Sequence, residues 1–252
     1  MAQNTMNNGL GLMEDAARDV EQSVDIDNPN PRCITVMLID ESQSTERFSA
    51  QLEQAFPQFI SSVHENEMDE TIELGVITFN RTPSVVFPIQ ELYKYLDEES
   101  APKLHLNPRG RTHTGEAVLA ALDAIDNRMK LLCDRLGSHT FVPVLFILTD
   151  GNPFFCENEI GRKQAEQAWE EAAAALKQRV SQNQLKVIAI GVGDRINDQN
   201  LQILSGDSGE TVRLADNTDF TALFSCVSAE MVSASRGQDV SSSRITLKLS
   251  SS

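Results

Sequence analysis

The chain has 252 residues, 37 acidic against 21 basic side chains, a formal net charge of −16, and 40% hydrophobic residues. That hydrophobic share excludes a chain disordered overall, and the length suits one large α/β domain or two small ones. The acidic balance argues against non-specific binding to nucleic acid or to an anionic membrane surface, both of which need basic patches, and no Lys/Arg cluster stands out in the sequence.

Residues 1–31 are polar and Asn-rich and end in "DNPNP". They read as an N-terminal arm with one helical stretch near Leu10 to Val24, and they lack the basic and apolar regions of a secretory signal. "CITVMLID" (33–40) is a continuous apolar run, as expected of a strand covered on both faces. Phe48, Leu52, Ala55/Phe56, Phe59 and Val63 then mark one face of a helix. "TIELGVITF" (71–79) and "PSVVFPI" (83–89) read as strands, the second at a sheet edge because of its prolines. Val118, Leu122, Ile125, Met129 and Leu132 mark a second helix. "FVPVLFILTD" (141–150) is a buried strand that tolerates Pro143 only near its start, and its apolar part is far too short to cross a bilayer. Ala165, Ala168/Trp169, Ala172, Leu176 and Val180 mark a third helix. "LKVIAIGVG" is a strand, Asn197 to Leu204 a short helix and "ETVRL" a strand. Phe220, Leu223/Phe224, Val227 and Met231 mark the closing helix, and a Ser-rich tail with a brief "RITLKL" fills residues 235–252.

This alternation predicts an α/β fold: a doubly wound, mostly parallel sheet flanked by helices on both faces, spanning residues 32–234. Cys33, Cys133, Cys156 and Cys226 are scattered without a C-x-x-C spacing. Neither a zinc site nor a disulfide framework is expected from them. They read as reduced thiols of a cytoplasmic protein, with Cys156 in a loop.

Two predicted strands end in aspartate, Asp40 and Asp150, and both charges fall on the carboxyl edge of the sheet, where ligands of such folds bind. A buried strand gains nothing from a terminal carboxylate unless something there needs it. Ser42 and Ser44, two apart after Asp40, can present both hydroxyls to one point. "GRTHTGE" adds Thr112 before the second helix. Carboxylate and hydroxyl oxygens without imidazole or thiolate suit Mg²⁺, or Mn²⁺ and Ca²⁺, rather than zinc or copper. The plainer alternative is that Asp40 and Ser42 only cap the first helix.

Asp40-x-Ser42-x-Ser44, then Thr112 in a Gly-x-Thr turn, then Asp150-Gly151, resembles the metal-ion-dependent adhesion site of von Willebrand factor A domains. "TDGNP" and "VIAIGVG" are similar to stretches of bacterial members, and "FTALFSCVSAEMVSAS" looks closest to the TerY-type, tellurite-resistance-associated subgroup. The resemblance implies that Ser42, Ser44 and Thr112 are hydroxyl ligands and that Asp40 and Asp150 act directly or through water. One coordination position would stay open for a partner's carboxylate. It further implies an intracellular setting in stress-response, tellurite-resistance or defence gene clusters, with a kinase or phosphatase of the same cluster as a candidate partner. Glu41 and Gln43 depart from the small residues of many members: Glu41 is expected to add acid near the metal, and Gln43 to restrict the loop.

The expected function is a non-enzymatic, metal-dependent protein-interaction module. The alternative is a metal-assisted hydrolase such as a phosphatase. That would need a positioned base or nucleophile and cationic stabilisers, and Arg111 is the only base within the motif turns. "SGDSGET" (205–211) reads as a turn rather than a protease motif, and the four histidines have no ligand spacing.

Overall fold

A computed structural model describes residues 24, 25, 27, 28, 30–64, 70–95, 103–137, 140–155, 158–215 and 220–235. Six strands, β1 (Cys33–Asp40), β2 (Ile72–Phe79), β3 (Pro83–Glu91), β4 (Val144–Thr149), β5 (Lys186–Val192) and β6 (Glu210–Leu214), form one sheet in the order β3-β2-β1-β4-β5-β6. All neighbours are parallel except β3, which pairs antiparallel with β2 at the edge, as its prolines predicted. β1 lies between β2 and β4, so both of its edges are paired, and all eight of its residues are buried. Pro143 lies just outside β4, where no N–H is required of it, and its carbonyl accepts from Lys186 N at 2.9 Å.

The helices are α1 (Glu46–His64), α2 (Thr114–Leu136), α3 (Glu159–Ser181), α4 (Asp198–Leu204) and α5 (Phe220–Ser235). Alternate residues of β1 feed two cores. Met37 and Ile39 join Phe56 and Phe59 of α1 and Phe224 of α5 on one face of the sheet; Val36 and Leu38 join Val118 and Leu122 of α2 and Leu176 of α3 on the other. On the first face Phe59 stacks on Phe224 with ring centroids 5.0 Å apart. On the second, Gly115 lets α2 approach α3 so closely that a Cβ there would stand 2.5 Å from the Trp169 backbone nitrogen.

The predicted elements occur in the predicted order, and the apolar faces named for α1 and α5 are buried. The face named for α2 packs against the second core too, and it buries a charge that its apolar spacing does not show. On α2, Arg128 is buried while Met129 is only partly so. Arg128 donates to both oxygens of the buried Glu73, at 2.6 and 2.7 Å, and lies 3.6 Å from Glu91; Arg32 lies 3.7 Å from Glu91 as well. Charged side chains read as solvent-facing in a sequence, because only a partner distant in the chain makes their burial affordable.

The described residues of the N-terminal arm's last stretch are hydrogen-bonded to the domain. Asp25 N donates to Glu91 Oε1 at 2.9 Å, Asn28 Nδ2 to Glu70 O at 3.0 Å, and Arg32 Nη2 to Asp25 O at 3.3 Å. Val24 packs against the second core and is not helical. Two of these hydrogen bonds engage the buried charges of Glu91 and Arg32, and the third the Glu70 carbonyl. All of the helical stretch placed near Leu10 to Val24 except Val24 itself lies outside the described residues, as do the tail beyond residue 235 and Cys156.

Candidate metal site

β1 and β4 are adjacent and parallel, and the chain winds away from them in opposite directions, so a crevice opens at their carboxyl ends. Asp40 closes β1 and Asp150 follows β4; both are buried. Asp40 Oδ1 accepts from the backbone N–H of Ser42 at 2.8 Å, and Oδ2 accepts from Thr149 Oγ1 at 2.6 Å. Burial pushes its pKa up to about 6, even though the Thr149 and Ser42 hydrogen bonds act in the opposite direction.

After Asp40 the backbone turns into a short 3-10 turn, Gln43–Thr45. The Ser42 side chain makes no cap hydrogen bond to this turn; its hydroxyl instead lies 3.2 Å from that of Ser44. Capping therefore does not account for the Ser42 hydroxyl. Ser44 Oγ donates to Asp150 Oδ1 at 2.6 Å. The other oxygen of Asp150, Oδ2, accepts from Arg47 Nη2 at 3.0 Å, and Arg47 also reaches Val192 O at 3.3 Å.

Thr112 arrives from the loop before α2. Its carbonyl accepts from Phe154 N at 2.8 Å, which ties it to the loop after Asp150. Its Oγ1 lies 3.7 Å from where a Cβ on Gly151 would stand. Gly110 adopts the left-handed region, with φ 75°, and lets the loop fold over the 3-10 turn, where Gln43 N donates to Gly110 O at 3.4 Å. Ser42, Ser44, Thr112 and Gly151 all line one cavity of about 720 Å³ at this edge.

The fold thus gathers Asp40, Ser42, Ser44, Thr112 and Asp150 from three separate segments. Glu41 does not add its charge to the cavity as expected, whereas Gln43 lines it. The Glu41 carboxylate accepts from the backbone N–H of Asn107, and its carbonyl from Arg109 N at 3.0 Å, so it braces the 107–112 loop and does not line the cavity. Gln43 is exposed and donates to Glu46 Oε2 at 2.9 Å.

Thr149, Arg47 and Arg195 were missed at the sequence level. Thr149 was legible in principle: it directly precedes Asp150 in "LTDG" and sits beside β1 in the sheet. The arginines come from the first turn of α1 and the loop after β5, and only the fold brings them to the cavity.

Among the described residues no group of three or more His, Cys, Asp or Glu could hold a metal ion. The set at this edge has two carboxylates and three hydroxyls instead. Hard oxygen donors around a pair of buried acids fit a hard divalent cation and offer nothing that selects a soft one.

Residues 35–228 match the family described as von Willebrand factor type A domain. The chain belongs to that family. No curated protein sequence matches it. Among solved structures, the vWA domain is similar to BatB from Bacteroides thetaiotaomicron, at 16% identity and TM-score 0.52, with 81% of this chain and 99% of that one covered. It is similar to the PilB minor pilin from Streptococcus sanguinis, at 14% identity and TM-score 0.55, with 80% of this chain and 62% of that one covered. It is also similar to proximal thread matrix protein 1 from the mussel byssus with a zinc-occupied MIDAS motif, at 15% identity and TM-score 0.50, with 83% and 46% covered. The vWA domain thus spans under two thirds of the pilin and under half of the byssus protein. No helix among the described residues is long and apolar enough to cross a membrane.

Proposed function

We propose that this vWA domain is a metal-dependent protein-interaction module whose edge is a metal-ion-dependent adhesion site. Ser42, Ser44 and Thr112 would hold Mg²⁺ or Mn²⁺ by their hydroxyls, and Asp40 and Asp150 directly or through water. The bound ion would supply a Lewis-acidic position that accepts a carboxylate from a partner's Asp or Glu. The observation that carries this reading is the convergence of two buried carboxylates, from the ends of adjacent parallel strands, with two serine hydroxyls 3.2 Å apart beneath an open cavity. The zinc-occupied MIDAS motif of the byssus protein, which shares the fold, agrees with it.

The chain's own residues prepare the docking. Thr149 and the Ser42 N–H orient Asp40, Ser44 and Arg47 fix the two oxygens of Asp150, and the 107–112 loop carries Thr112 in. In this reading the site docks a partner and does no chemistry of its own. The TerY-like closing helix suggests a cytoplasmic role in a stress-response, tellurite-resistance or defence system, with a kinase or phosphatase of the same gene cluster as partner. The test is capture of partners from the source cell with Mg²⁺ and with EDTA, followed by surface plasmon resonance. Binding should need the divalent ion and fail with Ser42→Ala or Thr112→Ala, while the fold survives. Equal affinity in EDTA would mean that docking uses another face. Turnover of a generic phosphate ester that is lost in Asp150→Ala would favour the hydrolase alternative.

A further inference from the structure

Helices α2 and α3 lie side by side in one register. Arg179 of α3 bonds Asp126 of α2, 53 residues earlier in the chain, and Ala168 of α3 stands against Gly115 at the same spacing. Position 167 therefore lies beside Thr114, where α2 begins, yet α3 already begins at Glu159. Its first turns, residues 159–166, stand about 12 Å beyond the start of α2. They do so at the edge that holds Thr112 and Asp150, because Thr112 leads into α2 and Asp150 leads from β4 toward α3. Asn158 caps this projection by accepting from Gly161 N at 2.7 Å, and within residues 159–166 only Ala165 is buried.

The chain between Asp150 and this projection is apolar. Pro153, Phe154 and Phe155 are half-buried, and Phe154 lines the cavity with Thr112 and Gly151. Ile160, on the first turn of α3, is 75% exposed; Val85, at 36% on the edge strand β3, is the other exposed large apolar side chain among the described residues. The other turns at this edge, "ESQST" (41–45), "NRT" (80–82), "NPRGRTH" (107–113) and "GDRIN" (193–197), hold no Phe, Tyr or Trp. A single exposed apolar side chain is ordinary on a protein surface. Here the exposed isoleucine continues an aromatic pair at the mouth of the docking cavity, and the centres of interfaces concentrate aromatic contacts and exclude charge.

We propose that the partner's docking segment carries a bulky apolar side chain next to its metal-binding carboxylate, and that this side chain seats on the rim formed by Phe154, Phe155 and Ile160. This rests on the docking function above and deepens it by naming the partner's chemistry. With the carboxylate held at one point, the neighbouring side chain reaches the rim at no further cost in translational freedom, and covering Ile160 removes apolar surface from water. A segment with charged neighbours would have to desolvate them against Phe155 and Ile160 and is disfavoured.

The test uses three fluorescein-labelled nine-residue peptides in a Gly/Ser background, with Leu-Glu-Leu, Ser-Glu-Ser or Leu-Gln-Leu at the centre. Anisotropy is read with the full chain in Mn²⁺ and in EDTA. In Mn²⁺ the Leu-Glu-Leu peptide should bind about 5- to 30-fold tighter than Ser-Glu-Ser, the range expected of partly burying one leucine side chain, and Leu-Gln-Leu weakest. Ile160→Ser, which alters no charge, should cut that preference at least about threefold and leave the Mn²⁺ affinity and melting temperature unchanged. Val85→Ser should leave the preference intact. Equal affinity of Leu-Glu-Leu and Ser-Glu-Ser, no binding of Leu-Glu-Leu up to millimolar concentration, or a preference that survives Ile160→Ser or falls equally in Val85→Ser would overturn the inference. A preference for leucine that persists in EDTA, extends to Leu-Gln-Leu and falls with Ile160→Ser would uphold the apolar rim and sink the metal-docking function, so the two failures are distinguishable.

Discussion

Arg47 Nη2 lies 3.0 Å from Asp150 Oδ2, while Ser44 Oγ takes the opposite oxygen of the same carboxylate at 2.6 Å. A fixed cation thus stands on one side of the buried acid, and the proposed ion's hydroxyl donors stand on the other. Arg47 is about a quarter exposed and Asp150 is not exposed at all.

The two roles of Arg47 predict opposite shifts from one substitution. Arg47→Ala leaves Asp150 buried without its guanidinium, so the melting temperature in EDTA should fall. It also removes a positive charge that opposes a divalent ion. A unit charge near a protein surface is worth on the order of 1 kcal/mol, so Mn²⁺ affinity by isothermal titration should rise about fivefold. Weaker Mn²⁺ binding would show that Arg47 chiefly positions Asp150.

Asp40 is a buried carboxyl whose pKa burial raises to about 6. A carboxyl with a raised folded pKa lowers stability increasingly as pH rises from its unfolded pKa of roughly 4 toward 6, and the full penalty applies above that. Asp40→Asn removes the charge. Its Oδ1 can still accept from Ser42 N, and Thr149 can turn its hydroxyl toward Gly151 O, 3.3 Å away. At pH 7.5 in EDTA this variant should be more stable than the wild type by about 1–2 kcal/mol, and it should gain nothing from Mn²⁺. A variant less stable in EDTA would show that the ionised carboxylate holds the 3-10 turn together.

Removal of the arm's last stretch should cost stability. A chain starting at Pro31 lacks the Asp25 N–H bond to Glu91 and the Asn28 bond to Glu70. Compared with a chain starting at Val24, it should lose about 2 kcal/mol in urea unfolding. Equal midpoints would mean that these hydrogen bonds are replaced by water at no net cost.

Arg128→Ala should destabilise by about 3–5 kcal/mol, because it strands the buried Glu73. Glu73 already has its pKa raised, with burial as the main cause and the Arg128 hydrogen bond opposing it. A loss below about 1 kcal/mol would show that water or a neighbouring cation replaces the guanidinium.

The thiols offer a check on the fold alone. Cys33 is fully buried in β1 and its pKa is pushed up to about 12, chiefly by burial, whereas Cys133 is exposed. Peptide mapping after brief iodoacetamide treatment at pH 8 should find Cys133 alkylated and Cys33 intact until the protein is unfolded. Early modification of Cys33 would contradict the placement of β1 at the centre of the sheet.

The elements were legible because each rests on local periodicity: the unbroken run at 33–40 for a strand covered twice, and the spacing of Phe220, Leu223, Phe224, Val227 and Met231 for α5. The five oxygen-bearing residues were legible because they recur at the ends of those elements. What escaped depends on pairing across distance. Arg128 beside Glu73, Arg47 beside Asp150 and Arg195 at the cavity each join residues that neither spacing nor charge pattern relates. Glu41 shows the converse. Its position beside Asp40 suggested added charge at the site, yet strand alternation turns it to the other side, onto the 107–112 loop.

The central claim is that Asp40, Ser42, Ser44, Thr112 and Asp150 hold one divalent ion. Isothermal titration of Mn²⁺ into the full chain and into Thr112→Val tests it most directly. Thr112→Val keeps the buried shape and removes only the hydroxyl oxygen. The account predicts one Mn²⁺ per chain in the wild type and at least about tenfold weaker binding in Thr112→Val, with unchanged circular dichroism. Equal Mn²⁺ affinity in the two proteins, or no saturable binding in the wild type, would contradict it.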